Sequence, residues 1–317
     1  MSPCKSLAYS AFTSLFAAFV GSTSAPKQEV SAERPLVVPQ AGLEVEHSFT
    51  VISRLPTAEE VPSEEHRRLI TEAELPWRIR ASPSGIELVL VPSGSYLRGG
   101  SPGDVEAQFD ETPILEVAIP EPLYVSVTEV TRGQWARLMA PDEAEPEPGA
   151  RQLPVTDITW SEAVDFSRRA GLRLPTESEW EYLCRAGNPN PRYGVPAEIA
   201  VFKDTAARSK ESKTLLAKVG GLAPNAWAIH DTLGNAWEWT ATNYTNYANY
   251  PSDRPNTPSD DRNAQGLHKV IRGGCCGSPP EDLRASYRLN YDPGSSSRYI
   301  GFRVVRSVEH LEFGESR

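Results

Sequence analysis

Two carboxylates, a Gly-Asn turn and two tryptophans fall within eleven residues, Ile229-His230-Asp231-Thr232-Leu233-Gly234-Asn235-Ala236-Trp237-Glu238-Trp239. Asp231 and Glu238 stand on either side of a turn that leaves backbone carbonyls available. Clustered carboxylate and carbonyl oxygens suit a hard cation such as Ca²⁺, which takes about six to eight oxygen ligands. The tryptophans have apolar bodies large enough to floor such a loop. The same residues also make a plain Gly-Asn hairpin over two core tryptophans, with Glu238 solvated, and spacing alone does not separate the two readings. His230, next to Asp231, reads either as a proton shuttle or as a hydrogen-bonded structural histidine. Asp253 and the pair Asp260-Asp261 read as solvated loop acids. The zinc-peptidase pattern His-Glu-x-x-His is absent.

The elements that would position this loop are marked by local signals. The run from Glu87 to Val91 ends in Pro92-Ser93-Gly94, a strand followed by a turn. Ile114 to Ile119 and Leu123 to Val127 are further strand candidates. Thr131-Arg-Gly-Gln134, Thr159-Trp-Ser-Glu162 and Thr176-Glu-Ser-Glu179 each fit the capping box that opens a helix. After Thr159, helical spacing puts Ala163, Val164, Phe166 and Ala170 on one face, with Gly171 as the stop. After Thr176 the apolar face is Trp180, Leu183 and Cys184, with Gly187 as the stop. From residue 188 onward turn-forming residues dominate, and loops of that length are functional or held by ions. Short strands, a few helices, long loops and closing strands imply an α+β architecture.

Seven ordered segments carry a family resemblance. They are Gly85 to Gly100, Val127-Thr-Glu-Val-Thr-Arg-Gly-Gln-Trp135, Pro154 to Trp160, Leu172-Arg-Leu-Pro-Thr-Glu-Ser-Glu-Trp-Glu-Tyr182, Gly234-Asn-Ala-Trp-Glu-Trp239, Val270-Ile-Arg-Gly-Gly274 and Ile300-Gly-Phe-Arg-Val-Val305. In this order, over about residues 85–307, the chain resembles the formylglycine-generating enzyme (sulfatase-modifying factor) family. The resemblance implies a C-type-lectin-like fold with little regular secondary structure. It also implies a structural Ca²⁺ held by the Asp231 side chain, the Gly234 and Ala236 carbonyls and the Glu238 carboxylate. The family's other calcium site would fall near Val201-Phe-Lys-Asp204, where the usual Asn is missing, and it is not expected here.

Formylglycine-forming members use two cysteines after Arg-Gly-Gly to bind copper(I), a soft ion suited to thiolate. Those positions fall on Ser278 and Leu283, so copper is not expected and no catalytic residue is assigned. Cys275 and Cys276 are adjacent and displaced, and read as core substitutions. Cys184 reads either as a bridge to one of them or as a third buried thiol. A related branch, the iron-dependent sulfoxide synthases, needs three histidines. The histidines here, His47, His66, His230, His268 and His310, show no i,i+4 or His-x-His pairing. In this fold the loops before the closing strand form a ligand surface. Here the loops 240–262 and 276–299 are rich in Tyr, Asn, Ser and Arg, the residue types of adaptable recognition surfaces. Tyr287, Tyr291 and Arg298 are the expected contact residues, for an exported protein or a glycan. The leading reading is therefore a binding or accessory domain. The alternative is an oxidoreductase that converts a protein cysteine to formylglycine through an altered centre.

Bulk properties bound the rest. The 317 residues carry 32 basic and 42 acidic side chains, for a net charge of −10. With no basic stripe, this argues against a nucleic-acid partner. Lys5, the apolar run Leu7 to Val20 and Gly21-Ser-Thr-Ser-Ala25 make residues 1–25 a candidate export signal. That run is too short to span a bilayer, and no other stretch qualifies. Residues 26–80, rich in Pro, Glu, Ala and Ser, read as a linker or weakly ordered arm. Residues 81–310 form the expected domain.

Overall fold

A computed structural model describes residues 48–142, 144, 146–206, 215–247 and 267–308. Three sheets organise them. The first has five antiparallel strands in the order β1 (Ser48–Ser53), β2 (Arg78–Ser82), β3 (Ile86–Val91), β6 (Leu123–Ser126) and β11 (Val305–Ser307). Its middle is the apolar run anticipated from sequence. Leu88, Val89, Leu90 and Val91 are all buried, and β3 pairs Leu90 with Tyr124 of β6. The second sheet places β7 (Trp237–Asn243) between β10 (Ile300–Gly301) and β8 (Lys269–Arg272), with β9 (Arg288–Tyr291) beyond β8. A two-stranded ribbon, β4 (Gly94–Arg98) with β5 (Leu115–Ile119), completes the set. The α+β reading holds.

Residues 48–80 correct the expected arm. They contribute β1, a helix α1 (Glu64–Glu72) capped by Ser63, and β2 to the main fold. Phe49, Val61, Ile70 and Trp77 enter the core. The low aromatic content that suggested a linker is offset by these few well-placed apolar side chains. The candidate signal at 1–25 lies outside the described residues.

All three capping boxes form. In each, the Thr hydroxyl accepts from the amide three residues on, ahead of α2 (Arg132–Met139), α3 (Trp160–Arg169) and α4 (Glu177–Arg185). Helix α3 buries Trp160, Ala163 and Phe166, and Phe166 stacks on Trp135 while meeting Phe302 edge-on. Helix α4 differs from its expected amphipathic form. Beside Trp180, Leu183 and Cys184 it also buries Glu177, Ser178, Glu181, Tyr182 and Arg185. It runs through the interior, between the sheets and the long loops. Its stop comes one residue before Gly187, because Ala186 takes the left-handed cap conformation at φ 47°.

Candidate functional site

The Asp231–Trp239 loop is built on left-handed backbone. Asp231, Gly234 and Asn235 have φ of 54°, 83° and 55°. A side chain at Gly234 would bring its Cβ within 2.5 Å of the Val201 carbonyl oxygen, so glycine is required. The turn is tied down by Asn235 N donating to Val201 O at 2.7 Å and by Gly234 N donating to Gly273 O at 2.9 Å. Glu238 then enters β7 with its side chain inward. Its Oε2 accepts from the Trp180 indole at 2.6 Å and from Arg303 Nε at 2.7 Å, and its Oε1 accepts from Arg303 Nη2 at 2.8 Å. Glu238 is thus a buried, paired carboxylate and not the solvated one of the plain hairpin reading. Asp231 is also buried and accepts from Gly220 N at 2.6 Å. His230 Nδ1 donates to Leu222 O at 2.8 Å, which makes it the structural histidine of the two readings.

Sequence reading missed a third carboxylate here. Glu129, fully buried, accepts from Asn235 Nδ2 at 2.7 Å and from Ala236 N at 3.0 Å. In Val127-Thr-Glu-Val-Thr it reads as the polar position of an alternating strand; the available signal was its place inside a family segment. Burial pushes the Glu129 carboxyl well above the usual range, and Asp231 and Glu238 add to the effect. Burial likewise raises Asp231, against the Gly220 amide and Arg303, and raises Glu238, against the same guanidinium. Three carboxylates therefore share one region with one arginine. The oxygen donor types fit a hard cation, with Asp231 as the side chain that makes no ion pair with an arginine among the described residues. Glu238 is already committed to Arg303, and among the described residues no group of three or more His, Cys, Asp or Glu is arranged to hold a metal ion.

The Arg272-Gly273-Gly274 turn ends β8 and opens the second candidate centre. Gly274 has φ 79°, and a Cβ there would lie 2.8 Å from Leu283 Cδ2 and 3.5 Å from Ser278 Oγ. The two positions counted from sequence thus converge on one backbone point, and both are buried. Ser278 Oγ accepts from Cys275 N at 3.0 Å, and Leu283 packs in a cluster with Trp180, Cys184 and Phe202. Cys184, Cys275 and Cys276 are all buried. Cys184 and Cys276 carry free thiols, so the bridge considered for Cys184 does not form. Burial pushes both of these thiols up to about 12.

Segment 272–303 carries much of the buried charge. Arg288 grips Glu177 of α4 at 2.7 and 2.8 Å. Arg272 donates to Glu181, which also holds Arg185 at 2.8 Å. Arg284 reaches Glu111 at 2.6 Å and Asp104 at 3.1 Å.

This scaffold corrects part of the expected recognition surface. Tyr287 is buried beneath it, its ring 5.9 Å from that of Trp237, because the segment folds inward to bring its arginines to α4. Tyr247 is likewise buried, with Arg98 and Arg288 over its ring at 4.2 and 4.3 Å. Tyr291 is half-buried against Trp239. Arg298 is exposed, and its Nη2 donates to the Tyr299 hydroxyl at 2.8 Å. The part of the expected surface at 248–262 lies outside the described residues. The nucleophile pattern Gly-x-Ser-x-Gly, not expected from the sequence, is present as Gly99-Gly100-Ser101-Pro102-Gly103. Its Ser101 is buried and accepts from Arg185 at 3.1 Å, the setting of a structural serine and not of an activated nucleophile.

Residues 78–308 match the Sulfatase-modifying factor enzyme 1-like domain. The chain belongs to this sulfatase-modifying factor family. Its relatives within and around the family are varied. It is 30% identical to the formylglycine-generating enzyme of Streptomyces coelicolor, over 51% of this chain and 55% of that protein. It is equally 30% identical to the inactive C-alpha-formylglycine-generating enzyme 2 of Mus musculus, over 52% and 54%. It is 29% identical to the serine/threonine-protein kinase pkn1 of Chlamydia pneumoniae, over 84% of this chain but only 44% of that protein, so it spans less than half of that relative's length. Among solved structures, PvdO from Pseudomonas aeruginosa shares the fold with a TM-score of 0.62 and 25% identity, over 71% of this chain and 96% of that one. Sulfatase-modifying factor architecture therefore accounts for the sheets, the long loops and the order of the seven segments.

Proposed function

We propose that this sulfatase-modifying factor domain is a binding or accessory module and not a copper-dependent oxidase. The observation that carries the proposal is the side-chain chemistry beside Gly274. Ser278 and Leu283 face the point where two thiolates would have to meet, and neither is a soft donor. The thiols at Cys184 and Cys276 are buried and held protonated, which disfavours them as ligands or nucleophiles. The chain is as similar to a formylglycine-generating enzyme as to an inactive C-alpha-formylglycine-generating enzyme 2, so the reading rests on that local chemistry. Incubated with copper(I), oxygen and a Cys-x-Pro-x-Arg peptide, the protein should leave the peptide cysteine intact by mass spectrometry. More than one equivalent of aldehyde product would overturn the proposal. The partner we propose is an exported protein or glycan that meets the face around Tyr291 and Arg298, with export through the candidate signal at 1–25.

We also infer that the Asp231 loop takes a calcium ion, with the Asp231 carboxylate and the Gly234 and Ala236 carbonyls as principal ligands. The support is the excess of buried carboxyl groups over guanidinium in this region and the left-handed backbone at Asp231, Gly234 and Asn235. A ligand bound only by the folded state stabilises it by mass action, about 2.7 kcal/mol at a hundredfold excess over Kd. Chelator should therefore lower the melting temperature of the wild type, and should have no effect on Asp231→Asn. A wild type that melts identically with and without chelator would remove the ion from this loop.

A further inference from the structure

Away from the carboxylate cluster, a cavity of about 290 Å³ opens beside α2. Arg132, Thr156, Arg298 and Tyr299 supply its polar lining. Leu215, Leu216 and Cys276 supply the rest. The geometry points to a binding site for a small organic acid, one carboxylate on a compact apolar body.

Unmatched positive charge is the first argument. The chain carries a net charge of −10, and its buried arginines Arg272, Arg284, Arg288 and Arg303 each meet a carboxylate. Among the described residues neither Arg132 nor Arg298 has a carboxylate within ion-pair distance, yet both residues line one cavity. A planar guanidinium fork matches a carboxylate in two parallel hydrogen bonds, and two such forks at one cavity define an anion site.

Preorganisation is the second argument. The Arg298 guanidinium lies 4.9 Å from the Tyr299 ring centroid and donates to the hydroxyl of that ring at 2.8 Å. Tyr299 is itself buried, so the fork is held before any ligand arrives, and less entropy is lost on binding. The leucines and the Cys276 thiol give the ligand's body an apolar wall. The volume is near the lower end of small-molecule sites, which start at about 300 Å³.

Two neighbouring groups bear on the charge. Cys276 is pushed up to about 12 by burial, so it forms a neutral wall and no thiolate repels the ligand. Glu129 acts electrostatically on Cys276, but burial drives its own carboxyl toward the neutral form.

This site deepens the binding reading above and rests on it, and the two fail separately. Formylglycine product would remove that reading without touching the cavity, and silence toward acids would remove the cavity site alone. Titration calorimetry with benzoate and hexanoate is the test, against benzamide and hexanamide as uncharged counterparts. The acids should bind at least about tenfold more tightly than the amides, and Arg132→Met with Arg298→Met should reduce acid affinity by at least about tenfold. Equal binding of acid and amide, no heat with either acid up to about 10 mM, or an unaltered affinity in the folded double variant would overturn the proposal. So would binding of inorganic phosphate with both acids silent. The acid–amide comparison needs only the wild-type chain, so it decides the matter even where the double variant fails to fold.

Discussion

Arg303→Met should destabilise the protein by about 3–5 kcal/mol, because removing one member of a buried ion pair leaves the other uncompensated. The partner left behind is Glu238, which receives two hydrogen bonds from the Arg303 guanidinium and is fully buried. Arg303 Nη2 also donates to His230 O at 2.9 Å, so the substitution loosens the start of the Asp231 loop as well. Arg303 is moreover the positive charge that opposes the raised pKa of Glu129, Asp231 and Glu238 alike. Removing it should drive this cluster toward protonation. The double variant Glu238→Gln with Arg303→Met should recover part of the loss, since the uncompensated charge is gone. Urea unfolding of the four members of this cycle measures both effects. A single variant within about 1 kcal/mol of wild type would mean that the guanidinium is replaceable, and the account of the cluster would fall.

Acid should weaken the fold through His66. This ring is buried, stacks on Trp227 at 4.9 Å with the planes 10° apart, and its Nε2 has no hydrogen-bond partner among the described residues. Burial lowers its pKa from 6.5 to about 4. The folded state therefore refuses a proton that the unfolded chain accepts below pH 6.5. The histidine's contribution is intact above that value and is lost as the pH falls toward 4. The gap between 6.5 and about 4, at about 1.4 kcal/mol per pH unit, gives at most about 3.5 kcal/mol. His66→Phe keeps an aromatic ring against Trp227 and removes the titration. Its unfolding free energy should fall less than the wild type's between pH 7 and pH 4. Parallel pH profiles for the two proteins would exclude His66 as the origin of the acid sensitivity.

The capping boxes at Thr131, Thr159 and Thr176 were legible because a cap is a contact between residues three apart. The apolar run of β3 was legible for a similar reason, since a strand buried in the middle of a sheet needs no alternation. The seven ordered segments likewise gave the family and the α+β architecture. What stayed hidden depends on charged side chains that point inward. Glu177 and Glu181 occupy the exposed face of α4 in any amphipathic reading, and their partners Arg288 and Arg272 lie 111 and 91 residues away. No local pattern links such pairs. The same blindness put Tyr287 on the surface, because tyrosine, serine and arginine look alike whether they bind a partner or floor an ionic network. Glu129 was missed for want of a rule that sends a lone acid in a strand-like run to a backbone amide 107 residues on. Residues 48–80 were misjudged by composition, which averages over the few apolar positions that anchor them.

Helix α4 is nine residues long, yet through Glu177 and Glu181 it is fastened to Arg288 and Arg272, and through Trp180 to Glu238. Those partners stand in the short strands β9, β8 and β7, and the long loops between these strands have little regular structure of their own. Their rigidity is lent by the helix, and the loan runs both ways, since the helix's acids are tolerable in the interior only while those arginines are docked. Local opening of either side exposes unpaired charge on the other, so helix and loops should open as one cooperative unit. A turn-rich region of this kind behaves mechanically as part of the core, and its freedom to vary is confined to the stretches between its points of attachment.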